Sequence, residues 1–88
     1  MTKTQHKNLK IGDIIIKQDD ELGLGMWVIT TKHRRRGSSY ENEFFVHTEL
    51  YSPEYYRKGW SEFTFSNTRA DLSSYNVLTP DTHPEYFL

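Results

Sequence analysis

Five short runs of β-favouring residues fill most of the chain, and no stretch of it carries a helical period. The runs are residues 11–17 (IGDIIIK), 26–32 (MWVITTK), 43–51 (EFFVHTELY), 60–65 (WSEFTF) and 76–79 (NVLT). β-Branched and aromatic residues fit a pleated, half-buried surface, and runs of this length bounded by Gly, Pro, Asn, Asp and Ser read as strands. The pattern predicts an all-β domain of five antiparallel strands, joined by short 3₁₀ or helical turns.

A chain of 88 residues makes one domain. Its aromatic content of 15% separates it from a disordered chain, because a few large rings fill a small core. The absence of cysteine excludes disulfide scaffolds, thiolate zinc sites and thiol redox chemistry. The opening MTKTQHKNLK has no apolar stretch of the secretory kind, and no apolar run approaches the roughly 20 residues that a helix needs to span a bilayer. A cytoplasmic protein without membrane contact is the expectation.

The net charge of −1 is unevenly spread. Residues 1–36 carry eight Lys/Arg against four Asp/Glu, whereas residues 37–88 carry three against eight, giving +4 and −5. Such an imbalance suits an electrostatic partner, unless folding mixes the two halves over one surface.

The chain divides into a loose polar tail (residues 1–8), the β domain (9–80) and a C-terminal tail (81–88). Gly12-Asp13 suits a tight bend into the first strand. Residues 18–25 (QDDELGLG) read as a long connecting loop. In the second strand Trp27, Ile29 and Thr31 alternate with Met26, Val28 and Thr30. In the third, Phe44, Val46, Thr48 and Leu50 share one face, and Phe45, His47, Glu49 and Tyr51 share a wetter one. Ser52-Pro53-Glu54 is a helix-start signal, with an N-cap serine and proline at the first position. Residues 67–75 match a turn or a single 3₁₀ turn around Leu72. His83-Pro84-Glu85-Tyr86-Phe87 echoes Ser52-Pro53-Glu54-Tyr55-Tyr56, and both read as proline-initiated turns with aromatic anchors. The core is expected to hold Ile14, Ile16, Val28, Phe44, Val46, Phe63, Phe65, Leu72 and Val77.

The order of these pieces resembles an SH3-like small barrel. The residues that carry the likeness are Gly12-Asp13-Ile14-Ile15-Ile16, Trp27-Val28-Ile29, Phe44-Phe45-Val46, Phe63-Thr64-Phe65, and Leu72 ahead of Val77-Leu78. The ending FTFSNTRADLSSYNVL is similar to small SH3-like accessory proteins of tailed bacteriophages. Over residues 9–80 the resemblance implies a five-stranded antiparallel barrel with a long acidic first loop, phage-encoded and acting in the host cytoplasm. The connection over residues 52–59 is longer and more aromatic than that pattern. The first loop holds no aromatic residue, so recognition of proline-rich ligands is not implied.

Catalytic signatures are missing: the chain has no glycine-rich phosphate loop, no G-x-S-x-G and no H-E-x-x-H. His6, His33, His47 and His83 are scattered without an i, i+4 pair, and Asp19-Asp20-Glu21 lacks the spacing of a calcium loop. Neither an enzyme, a metal site nor any cofactor is expected.

Two clusters are candidates for binding. Lys32, His33, Arg34, Arg35 and Arg36 concentrate charge at an expected hairpin tip, where arginine suits bidentate contact with phosphate. A sequence pI near 6.4 and the acidic Glu41 and Glu43 just beyond weigh against a nucleic-acid binder. An acidic protein surface, or plain solvation, is as good an account of that tip. Tyr51, Tyr55, Tyr56, Arg57 and Trp60 form the second cluster, of the residue types enriched at interface hot spots. The sequence thus predicts a non-enzymatic module that binds and modulates, for example inhibits, a host or phage protein. A structural piece of a virion and a nucleic-acid binder are the alternatives.

Overall fold

The computed structural model describes residues 1–34, 44–58 and 61–87, with Arg34 described in its backbone only. The strands are β1 (Ile14–Asp19), β2 (Gly23–Arg34), β3 (Phe44–Leu50), β4 (Phe63–Ser66) and β5 (Asn76–Leu78). They form one antiparallel sheet in the order β4-β3-β2-β1-β5, a meander whose last strand returns beside the first. The expected all-β fold of five antiparallel strands is therefore what the chain adopts, with one difference. The sheet is not closed into a barrel by hydrogen bonds between β4 and β5.

Side chains bridge that gap instead. Tyr75, which leads into β5, stacks on Phe65 with ring centroids 6.0 Å apart and lies 6.0 Å from Phe63, both on β4. Trp27 on β2 meets Phe63 edge-on at 5.3 Å and Tyr75 at 5.8 Å. The Arg69 guanidinium lies over the rings of Phe63 and Tyr75 at 5.1 and 5.5 Å, and pairs with Asp71. Lys17 reaches from β1 to Tyr75 and to Asp71, at 5.4 and 3.5 Å. The hydrogen bond from Arg69 holds the Asp71 carboxyl below its ordinary range, and burial pushes the Tyr75 hydroxyl up.

The local chemistry of the turns explains the register. A 3₁₀ turn over Leu72–Ser74 seats buried Leu72 at the place expected for it. Asp13 N–H donates to Lys10 O at 3.0 Å, closing a tight turn in which Gly12 takes φ +98°, a left-handed conformation that favours glycine. Residues 18–25, expected as a long loop, instead continue the ladder to a three-residue turn, with Gln18 opposite Leu24 and Asp19 opposite Gly23. Asp19 Oδ1 accepts from the backbone N–H of Glu21 and of Leu22, both at 2.9 Å, and Gly23 supplies φ +85°. A short turn ending on a left-handed glycine matches the right-handed twist of a hairpin, and it leaves no long acidic first loop.

The expected core residues divide across two faces, with Phe44 only half-buried beneath the Lys32 ammonium. The larger cluster joins Ile15, Trp27, Ile29, Val46, Phe65, Leu72 and Tyr75, with Phe63 and Val77 half-buried against it. Ile14, Met26 and Leu78 make a second cluster on the opposite face, with Ile16 and Val28 at its edge. Ile14, Ile16 and Val28 therefore do not share a core with Val46 and Phe65. Three consecutive isoleucines carry no period, so alternation alone cannot say which of them faces the main core.

A β-bulge at Thr30 also moves residues between faces. Ile29 pairs with Thr48 but Thr31 pairs with His47, so two residues of β2 oppose one step of β3. Beyond the bulge Thr31 no longer shares a face with Trp27 and Ile29. Lys32 takes that face, opposite Val46.

Residues 1–8, expected as a loose tail, are folded onto this core. Thr2 and Gln5 form a reciprocal capping box for a five-residue helix, α1 (Lys3–Lys7). Met1, His6 and Leu9 are buried, and the ring of His6 meets Phe65 edge-on at 5.0 Å. Lys32 donates to the carbonyls of Lys7 and Leu9, the latter at 2.8 Å, placing its charge where the end of α1 offers unpaired oxygens. The C-terminal segment folds back in the same way on the opposite side. Its 3₁₀ turn, Pro84–Tyr86, carries Phe87 onto the Ile14–Met26–Leu78 cluster.

Two expectations follow. Burial lowers the proton affinity of His6; the neighbouring Phe65 carbonyl works against that shift and the Lys32 charge reinforces it. The unfolded chain therefore binds the extra proton more readily than the folded one. Stability contributed by neutral His6 is complete above the ordinary value near 6.5 and is lost as pH falls below it. Urea midpoints measured from pH 8 to 5 should decline across that window, and His6→Leu should flatten the decline. Lys32→Ala should cost about 1 kcal/mol in the same titration, with the loss seen as fraying of residues 1–9 in amide exchange.

Candidate functional site

The two predicted clusters meet different fates. Lys32 of the basic tip is turned inward and engaged with α1, as described above. His33 is exposed and stacks on Phe45, with centroids 5.5 Å apart and planes 10° apart. Arg34 ends β2, while Arg35 and Arg36 lie outside the described residues, as does Trp60 of the aromatic cluster.

The aromatic cluster is assembled by the two proline turns that echo each other in sequence. Ser52 caps the first, Pro53–Tyr55, with its hydroxyl accepting from Glu54 N–H at 3.3 Å. The second, Pro84–Tyr86, comes alongside. Tyr51 sits between them, its ring centroid 6.1 Å from that of Tyr55 and 6.4 Å from that of Tyr86, with its hydroxyl 3.4 Å from Tyr86 O. Tyr55 and Phe87 turn down onto the second cluster and anchor the layer, while Tyr51, Tyr56 and Tyr86 keep 38%, 57% and 37% of their surface exposed. The Arg57 guanidinium is held at the rim by the carbonyls of Tyr56 and Glu54, at 2.8 and 3.1 Å. Tyr86 is the member that spacing alone does not reveal. Its signal is the repeated P-E-Y triplet.

The wetter face of β3 was readable, but its chemistry was not. His47 and Glu49 stand two residues apart on a strand, hence on one face. Glu62, one step beyond the paired residues Thr48 and Phe63, comes opposite Glu49. The ligand-type atoms of His47, Glu49 and Glu62 all lie within 4.8 Å of one another, with His47 Nε2 3.7 Å from Glu62 Oε2. No helix among the described residues is long and apolar enough to cross a membrane.

Comparison of the chain with protein-family models, with curated proteins and with solved structures finds no match.

Proposed function

We propose that this chain is a non-enzymatic binding module that occupies a protein partner through its tyrosine surface. The observation that carries the reading is the preassembled layer in which Tyr51 packs between Tyr55 and Tyr86, held by two proline turns of which Ser52 caps the first, with exposed Tyr56 and Arg57 at its rim. Tyrosine offers a large contact area with few rotatable bonds and a hydroxyl for a polar partner. Ordering the layer before contact removes part of the entropy cost of association. The residue types are those that dominate interface hot spots.

The partner that fits is a folded protein with an acidic patch. Arginines 34, 35 and 36 steer its approach over a distance, and the tyrosines lock the complex. The likeness to accessory proteins of tailed bacteriophages supports a phage-encoded modulator, such as an inhibitor, working on a host or phage protein in the host cytoplasm. The inward engagement of Lys32 and the low pI count against nucleic acid as the partner.

The test uses a partner captured with the intact chain and then purified. Tyr56→Ala combined with Tyr86→Ala should weaken its binding at least about 30-fold, with unchanged circular dichroism. Replacing the three arginines by Ala should slow association and leave dissociation nearly unchanged. Retardation of DNA or RNA at low salt, lost with the arginines and indifferent to the tyrosines, would overturn the reading. Stoichiometric copies in purified virions would instead assign the chain to the particle.

A further inference from the structure

We infer that His47, Glu49 and Glu62 form a surface site for a divalent first-row transition ion, with zinc as the fitting representative. The site lies on the polar half of the sheet, and nothing in the proposed protein contact requires it.

The first argument is geometric. Around a zinc ion with bonds of about 2.1 Å, tetrahedral ligands stand about 3.4 Å apart. The His47–Glu62 pair is already at 3.7 Å, and all three donor atoms fall within 4.8 Å. Glu49 and Glu62 are exposed, so their rotamers can close the remaining distance at little cost. Three protein ligands leave a fourth position to water, the arrangement of an open zinc site.

The second argument concerns the ring. His47 Nδ1 lies 2.8 Å from Thr64 Oγ1, on the neighbouring strand. With the hydroxyl accepting from Nδ1–H, Nε2 keeps its lone pair and points it toward the carboxylates. A histidine ligand ordinarily has its other nitrogen fixed in this way.

The third argument is electrostatic. Glu49 and Glu62 face each other across β3 and the entry to β4, and like charges directly opposite are unfavourable. Among the described residues no lysine or arginine pairs with either of them. A cation between them removes the repulsion. An imidazole nitrogen in the set favours zinc, cobalt or nickel over magnesium and calcium, which prefer all-oxygen shells.

Zinc chloride titrated into the intact protein by calorimetry should give saturable one-to-one binding, with the His47 ring nitrogens shifted in nitrogen-15 spectra. Magnesium at equal concentration should leave those resonances in place. His47→Ala should abolish the binding, and Glu62→Gln, an exposed change that spares the strand, should weaken it at least about 10-fold. Thr64→Val should cost about 10-fold or more through the ring's orientation. His33→Ala and His83→Ala should bind as the wild type does. Absence of saturable binding by the wild-type protein would overturn the site, leaving a plain His–Glu ion pair. Binding that survives both His47→Ala and Glu62→Gln would overturn it equally.

Discussion

A sheet with apolar residues on both sides has to be covered twice, and this constraint organises the molecule. One side presents Ile15, Trp27, Ile29, Val46 and Phe65; the other presents Ile14, Met26 and Leu78. Among the described residues there is no second sheet to lay against either side. The two terminal segments serve as the covers: Met1, His6 and Leu9 close over one side, and Phe87 with Tyr55 over the other. Burial of each large side chain contributes about 1.5–3 kcal/mol, so neither segment is dispensable in so small a domain.

The polar devices serve the same end. The bulge at Thr30 rotates Lys32 onto the side where α1 ends, and the ammonium meets oxygens that a five-residue helix cannot satisfy itself. Without that extra residue, Thr31 would occupy the side of Trp27 and Ile29 and Lys32 would face away. An irregularity in one strand thus decides how the first nine residues are held. The opposite side is divided along its length. Its β1–β5 end is dry beneath the C-terminal turn, and its β3–β4 end is wet, carrying His47, Glu49 and Thr64.

Much of this was legible in the residues, and the misses have physical causes. β-Branched runs and turn residues located the five strands, the Gly12 bend, the Leu72 turn and both proline turns. Alternation failed at Ile14-Ile15-Ile16, where every position is apolar, and after Thr30, because a bulge leaves no mark on a two-residue period. The turn at residues 20–22 looked like a loop because its acidic and glycine residues suit either reading; only pairing distinguishes them. The N-terminal helix is too short for a periodic signal, although Thr2 and Gln5 stand at capping-box spacing. Tyr51, Tyr55, Tyr56 and Arg57 were singled out by type and density, and the structure brings Tyr51 and Tyr55 into contact. His47-x-Glu49 was visible on one strand face, whereas Glu62 joins them only through the register of another strand.

The placement of β5 has a consequence for how the molecule opens. β1 pairs on one side with β2, through a three-residue turn, and on the other with β5, from the far end of the chain. The first pairing is local and re-forms quickly; the second closes a long loop and is slow to recover. Fluctuations that release β5 carry the C-terminal cover away with it while the meander stays intact. Such an excursion bares the edge of β1 together with Ile14 and Met26. An unpaired strand bordered by an apolar strip is the surface through which β proteins adhere to one another. Self-association at high concentration would therefore begin at this edge, and the short contact of Phe87 guards against it.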